Sequence, residues 1–187
     1  DENGLLVTET SGSTIVSETG SSDTIGVSLS AQPLSNVVLN VSSSDASESS
    51  INFQVLTFDP GNWNSPQLVS VTGVDDPTVD GDQVSTITIS VDAANSDNAY
   101  DSVSSRTVLA TTTDDDAAGF SALHTGDDSQ VSESGTADTV SVVLTAQPIS
   151  AVVIAATTTD SGEVSVSPAS ISFTPANWNV AQDLVLV

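Results

Sequence analysis

The chain has 187 residues, 37% hydrophobic and 4% aromatic, with a formal net charge of −24, a single basic side chain (Arg106), no Cys and no Met. That composition excludes disulfides, thiolate metal sites and thiol catalysis, and such a field repels nucleic acid and anionic membrane surfaces. No apolar run reaches the roughly 20 residues a membrane-crossing helix needs. The opening DENGLLVTET has no basic-then-apolar leader pattern, so the chain reads as a piece from the middle of something longer.

Period-two alternation sets the predicted elements in chain order. Ile25, Val27 and Leu29 alternate with Gly26 and Ser28, and Val37, Leu39 and Val41 with Val38 and Asn40. Ile51, Phe53 and Val55 continue the pattern, as do Val69 and Val71. Ile87, Ile89 and Val91 follow, then Val108 and Ala110 in RTVLATTT. About seven β-rich segments separated by Ser, Asp, Asn, Gly and Pro predict an all-β sandwich. Ser and Thr on the outer face keep β-propensity without exposing apolar surface. No window carries a helical stripe.

The segment TGVDDPTVDGD, Thr72 to Asp82, packs four aspartates into eleven residues. Carboxylates held this close repel by roughly 4 kcal/mol per pair at about 4 Å for an effective dielectric near 20. Arg106 alone cannot neutralise them. Either the run is flexible and hydrated, or a cation sits in it.

The chain also repeats itself. SETGSSDTIGVSLSAQPLSNVVL from Ser17 recurs as SESGTADTVSVVLTAQPISAVVI from Ser132, an offset of 115 that holds without a gap to Val187. Gln32-Pro33 matches Gln147-Pro148, Asp45 matches Asp160, Glu48 matches Glu163, and FDPGNWNSPQ at Phe58 matches FTPANWNVAQ at Phe173. Going backwards, Gly4 matches Gly119 and Asp1 matches Asp116. The period suits a globular domain rather than a solenoid unit. The expected organisation is a first repeat over residues 1–116, with residue 1 the tail of a preceding one, and the N-terminal part of a second over 117–187. Val187 matches Thr72, so the second sandwich is expected to be incomplete.

VSETG, FDPGNWNSPQLVSVTGVDDPTVDGDQ and TTTDDDAAGF together resemble the Calx-beta repeat, and more closely the tandem repeats of very large bacterial surface and adhesin-like proteins. The resemblance spans essentially the whole chain. It implies tandem immunoglobulin-like (Calx-beta-type) antiparallel sandwiches that bind Ca²⁺ at one end. Carried over by position, it implies ligands at Glu18, at Asp45, at the paired Asp75 and Asp76, at the carbonyl of Thr78, at Asp80, and at the closing Asp114, Asp115 and Asp116. The chain departs from the pattern at Gln83, where the family has an acid; Asp82 stands beside it.

The chemistry of the residues points the same way. Ca²⁺ takes six to eight oxygen ligands and tolerates irregular geometry, whereas Mg²⁺ keeps its waters and demands an octahedron. Zinc is poorly served by one His and no Cys. The missing positive charge is therefore read as calcium, which would also stiffen the short Ala117-Ala118-Gly119 linker.

Other residues give less. His124 has no nucleophile motif beside it and Arg106 is expected to pair with an acid. Trp63 and Trp178, at one repeat position, are read as packing residues, and the NVS at Asn40 as chance. No Gly-rich phosphate loop and no usable catalytic base is present, so the chain is read as non-enzymatic. The expected role is a calcium-stiffened extender of a secreted or surface-anchored bacterial protein. Its partners would be calcium and neighbouring repeats, with self-association by β-strand addition at the unfinished repeat. A calcium-sensor domain like those of sodium–calcium exchangers, and a ligand-binding adhesin domain, are the alternatives.

Overall fold

The computed structural model describes every residue except Asp1, Thr125 and Asp127. Asp1, matched above to Asp116, therefore lies outside the described residues. The structure is all-β and forms two compact units, Asp1–Asp76 with Gly81–Asp115, and Pro77–Asp80 with Asp116–Val187.

The first unit is a two-sheet sandwich. One sheet has the order β1 (Leu5–Glu9), β3 (Ser22–Leu29), β7 (Gln67–Gly73), β5 (Ser49–Ile51). The other has the order β2 (Thr14–Ser17), β9 (Arg106–Thr113), β8 (Gln83–Val91), β4 (Val37–Ser43), β6 (Val55–Phe58). All pairings are antiparallel except β2 with β9, which is parallel. The inner faces supply the core: Ile25, Val27, Leu29, Val69 and Val71 from one sheet, and Val37, Leu39, Val41, Ile87, Ile89, Val108 and Ala110 from the other. Each fully buried aliphatic of this kind contributes roughly 1.5–3 kcal/mol of transfer free energy.

The structure corrects two expectations. Phe53 and Val55 are exposed, while Leu56 and Phe58 are buried. The alternation cannot run through residues 51–55, because β5 pairs with β7 in one sheet and β6 with β4 in the other. Crossing between sheets at residues 52–54 resets which side chains face inward. Arg106 donates its Nε–H to the Leu5 carbonyl rather than to a carboxylate. Leu5–Glu9 and Thr14–Ser17 are further strands, which alternation alone does not single out.

The second unit has a four-stranded sheet of order β10 (Phe120–His124), β11 (Asp138–Leu144), β15 (Gln182–Leu186), β13 (Val166–Ser167). Opposite it is a two-stranded pair, β12 (Val152–Ala155) with β14 (Ser170–Phe173). Its core holds Val142, Leu144, Ile171, Phe173 and Leu184. Hydrogen bonds recur at the offset of 115. Leu29 N–H donates to the Trp63 carbonyl (2.8 Å), and Leu144 to that of Trp178 (3.1 Å). Gln32 Nε2 donates to the Pro60 carbonyl (2.7 Å), and Gln147 to that of Pro175 (2.9 Å). Both tryptophans pack against their unit's core.

Candidate metal centre

Strand directions in the first unit bring the ends of β2, β7 and β9 together with the start of β8. β2 is pinned to β9 from Thr14↔Ala110 to Ser17↔Thr113, and Glu18 extends the ladder by donating its N–H to the Thr113 carbonyl (3.1 Å). Gly73, the last residue of β7, lies against the Ser17 backbone, where an added Cβ would sit 2.1 Å from the Ser17 carbonyl oxygen. Only glycine permits that approach. Asp76, three residues beyond β7, is thereby held near enough for its charge to act on Glu18.

Glu18 is the centre of the arrangement and is only 1% exposed. The Asp115 backbone N–H donates to its carboxylate, but Oε2 is buried with no hydrogen-bond partner. Burial pushes its carboxyl up to about 7, the Asp115 N–H opposes this, and the charges of Asp114, Asp76 and Glu48 push the same way as burial. A buried carboxylate surrounded by like charges favours the protonated acid or a bound cation. Arg106 cannot serve, because it stands at the opposite end of β9, bonded to Leu5.

Glu18 and Asp114 each offer a carboxylate oxygen within 4.8 Å of the other, and Asp116 is half-buried. Asp114 Oδ2 accepts the Gly81 N–H (2.8 Å), and the Asp114 N–H donates to Asp82 Oδ1 (3.3 Å). These bonds tie the β7–β8 loop to the segment after β9. The other residues implied by the resemblance are placed differently. Asp45 is exposed and accepts from the Ser47 hydroxyl (2.5 Å) and N–H (3.0 Å), which hold its carboxyl below the usual range. Asp75, Asp80 and Asp115 are exposed, while Asp76 is half-buried and acts on Glu18 through its charge. Thr78 bridges to Gln147, flanked by Gln147 N–H to the Pro77 carbonyl (2.6 Å) and Val79 N–H to the Gln147 carbonyl (3.3 Å).

Sequence reasoning did not place Glu48 in the site. It is buried, and its carbonyl accepts from the Val74 N–H (2.9 Å) and the Thr112 hydroxyl (3.1 Å). The available signal was its recurrence as Glu163.

In the second unit, Glu133 matches Glu18 and is exposed. Asp160 matches Asp45 and closes the same turn, accepting the Gly162 N–H at 3.0 Å as Asp45 does that of Ser47. His124 Nδ1 lies 2.6 Å from Ser129 Oγ, and Ser129 also hydrogen-bonds Asp138. The serine thus sits between the imidazole and the acid, whereas a catalytic triad needs the imidazole between the other two.

No family model matches the chain, and no curated protein matches it. Among solved structures, CBD12 from CALX1.2 is similar at 16% identity and TM-score 0.42, over 97% of this chain and 74% of that one. The YadV chaperone is similar at 8% identity and TM-score 0.41, over 97% and 84%. SSP-19, an MSP-domain protein of Caenorhabditis elegans, is similar at 18% identity and TM-score 0.36, over 56% and 94%. Likenesses this distant carry no argument about what the chain binds.

Proposed function

We propose that the first unit is a non-catalytic Ca²⁺-binding β-sandwich module. The observation that carries the reading is Glu18, buried with an unpartnered Oε2 and set against Asp114, with the charges of Asp76 and Glu48 nearby. An all-oxygen donor set of this kind fits a hard divalent cation. Ca²⁺ suits it better than Mg²⁺, because several carboxylates would have to displace its waters. The bound ion would supply the positive charge that the chain lacks. Glu18 and Asp114 would hold it, with Asp76 and Glu48 adding to the attraction.

The module reading extends to context. A chain of net charge −24, without cysteine and written as a 115-residue repeat, suits a structural part of a large extracellular or surface-anchored bacterial protein, stapled by metal instead of disulfides. Isothermal titration of the chelator-stripped chain with CaCl₂ tests the binding. Saturable heat that is abolished by Glu18→Gln and retained in Glu133→Gln is expected. Absence of calcium heat in the unaltered chain overturns the reading.

A further inference from the structure

One side of the first unit carries outward apolar and amide side chains that its fold does not demand. The change of sheet at residues 52–54 turns Phe53 and Val55 outward, and these two and Leu68 are each more than half exposed. Two cavities meet at Val55. One, of about 510 Å³, is lined by Asn40, Ser42, Ser49, Ser50 and Gln54 among others. The second, of about 350 Å³, is lined by Phe53, Val55, Leu56, Gln67 and Leu68. Both volumes fall in the range of roughly 300–1,000 Å³ usual for small-molecule sites. Among the described residues no carboxylate and no cation lines either cavity, in a chain that has 25 acids.

The repeat shows which of these residues the sandwich requires. At the offset of 115 the inward neighbours stay apolar: Leu39, Leu56, Phe58 and Val69 match Ile154, Ile171, Phe173 and Leu184, all in or against the second core. The outward residues do not. Phe53 matches Pro168, Val55 matches Ser170 and Leu68 matches Asp183, while the amides Asn40 and Gln54 match Ala155 and Ala169. β12 and β14 pair with those replacements in place. An apolar patch on a face otherwise written in Ser and Thr marks a surface that something covers. A peptide strand fits it poorly. Gln67 Nε2 already occupies the Thr57 carbonyl of β6 (2.7 Å), and β5 is only three residues long, so neither offers an open ladder for strand addition.

We propose that this side of the first unit binds an uncharged oligosaccharide. A sugar ring presents hydroxyls at its rim and polarised C–H groups on its faces. The C–H face matches the negative π-face of an aromatic ring, here Phe53, with Val55 and Leu68 beside it. The hydroxyls need partners that both donate and accept. The exposed Asn40 and Gln54 amides and the Ser42 hydroxyl supply them in the adjoining cavity. With no cation in the lining and a chain charge of −24, uronic and sialic acids are repelled. This inference goes beyond the calcium reading and does not rest on it.

The test is a heteronuclear NMR titration of the whole chain, in CaCl₂, with hexasaccharides built from glucose, galactose or mannose, and with oligogalacturonate as the charged control. Saturable shifts are expected with at least one uncharged sugar, at residues 40–42, 49–55 and 67–68 and at the Asn40 and Gln54 side-chain amides. Oligogalacturonate should leave these signals in place. The double variant Asn40→Ala with Gln54→Ala installs the residues that the second unit carries, so it should keep its melting temperature while binding about tenfold or more weakly. Phe53→Ala should behave in the same way. The proposal is overturned if no uncharged sugar moves these signals at millimolar concentration, if the variants bind as well as the unaltered chain, or if oligogalacturonate binds equally. It is overturned equally if an extended peptide protects Ser49–Ile51 from hydrogen exchange and no sugar does.

Discussion

Glu18 and Glu133 occupy the same position in two near-copies of one sequence, yet one is buried and the other lies open to solvent. The turn that follows each is the same. Gly20 and Gly135 have φ of 85° and 87°, and each donates its N–H to the residue three before it, at 3.0 and 2.8 Å. The strand that precedes each is not. Thr14–Ser17 is a strand paired in parallel with β9, whereas the matching stretch forms only an isolated bridge between Ser132 and Thr136. Turn chemistry is local and comes with Ser, Glu and Gly. An edge strand needs a ladder partner, and in the first unit that partner arrives from more than ninety residues away. The buried acid at the candidate metal centre is therefore made by β9, not by the motif that carries the glutamate.

The largest expected effect comes from removing that partner. Ala110→Pro deletes an N–H in mid-β9, between Thr14 on one side and Ser85 on the other. The first unit should lose more than about 3 kcal/mol in urea unfolding. Hydrogen exchange at residues 16–18 should rise to the rate of residues 131–133. Slow exchange persisting at residues 16–18 would show that β2 stands without β9, and the comparison would fail.

Calcium should act on one unit only. At a hundredfold excess over Kd the first unit gains about 2.7 kcal/mol, on the order of 10 °C in its melting transition. Calorimetric scans with EDTA and with CaCl₂ should separate its transition from that of the second unit, which should stay put. Superimposable scans would remove the basis for a metal centre.

Exchanging the two glutamates for glutamine sharpens the contrast. Without calcium, Glu18→Gln relieves a buried charge held among like charges, so the first unit should melt higher in EDTA and no longer respond to CaCl₂. Glu133→Gln, at an exposed site, should change stability by less than about 0.5 kcal/mol under either condition.

The smallest effect concerns acid. Asp97 is nearly buried like Glu18, but the N–H groups of Ala99, Leu34 and Ser35 hold its carboxyl below the ordinary 3.8. A depressed acid contributes stability that is fully present above the unfolded value and is lost as pH falls through the folded one. The advantage of the unaltered protein over Asp97→Asn should be constant above pH about 4 and shrink below it. An advantage that grew on acidification would contradict the assignment.

The sequence by itself determined the β class, the repeat and most of the core, because period two is a property of each strand alone. Val37, Leu39, Val69, Val71, Ile87 and Ile89 all face inward as their alternation requires. It also wrote the turns, since the Asp45 and Asp160 loops close on their own side chains. Tertiary structure decided what depends on a distant partner: the change of sheet that turns Phe53 and Val55 outward, the existence of β2, and the burial of Glu18. It also decided which acids meet. Asp114 and Glu18 come together because β9 and β2 run side by side in the same direction, and Glu48 joins them because Thr112 and Val74 hold its backbone. Spacing along a chain cannot encode that convergence, since the acids lie in loops whose ends are fixed by different strands.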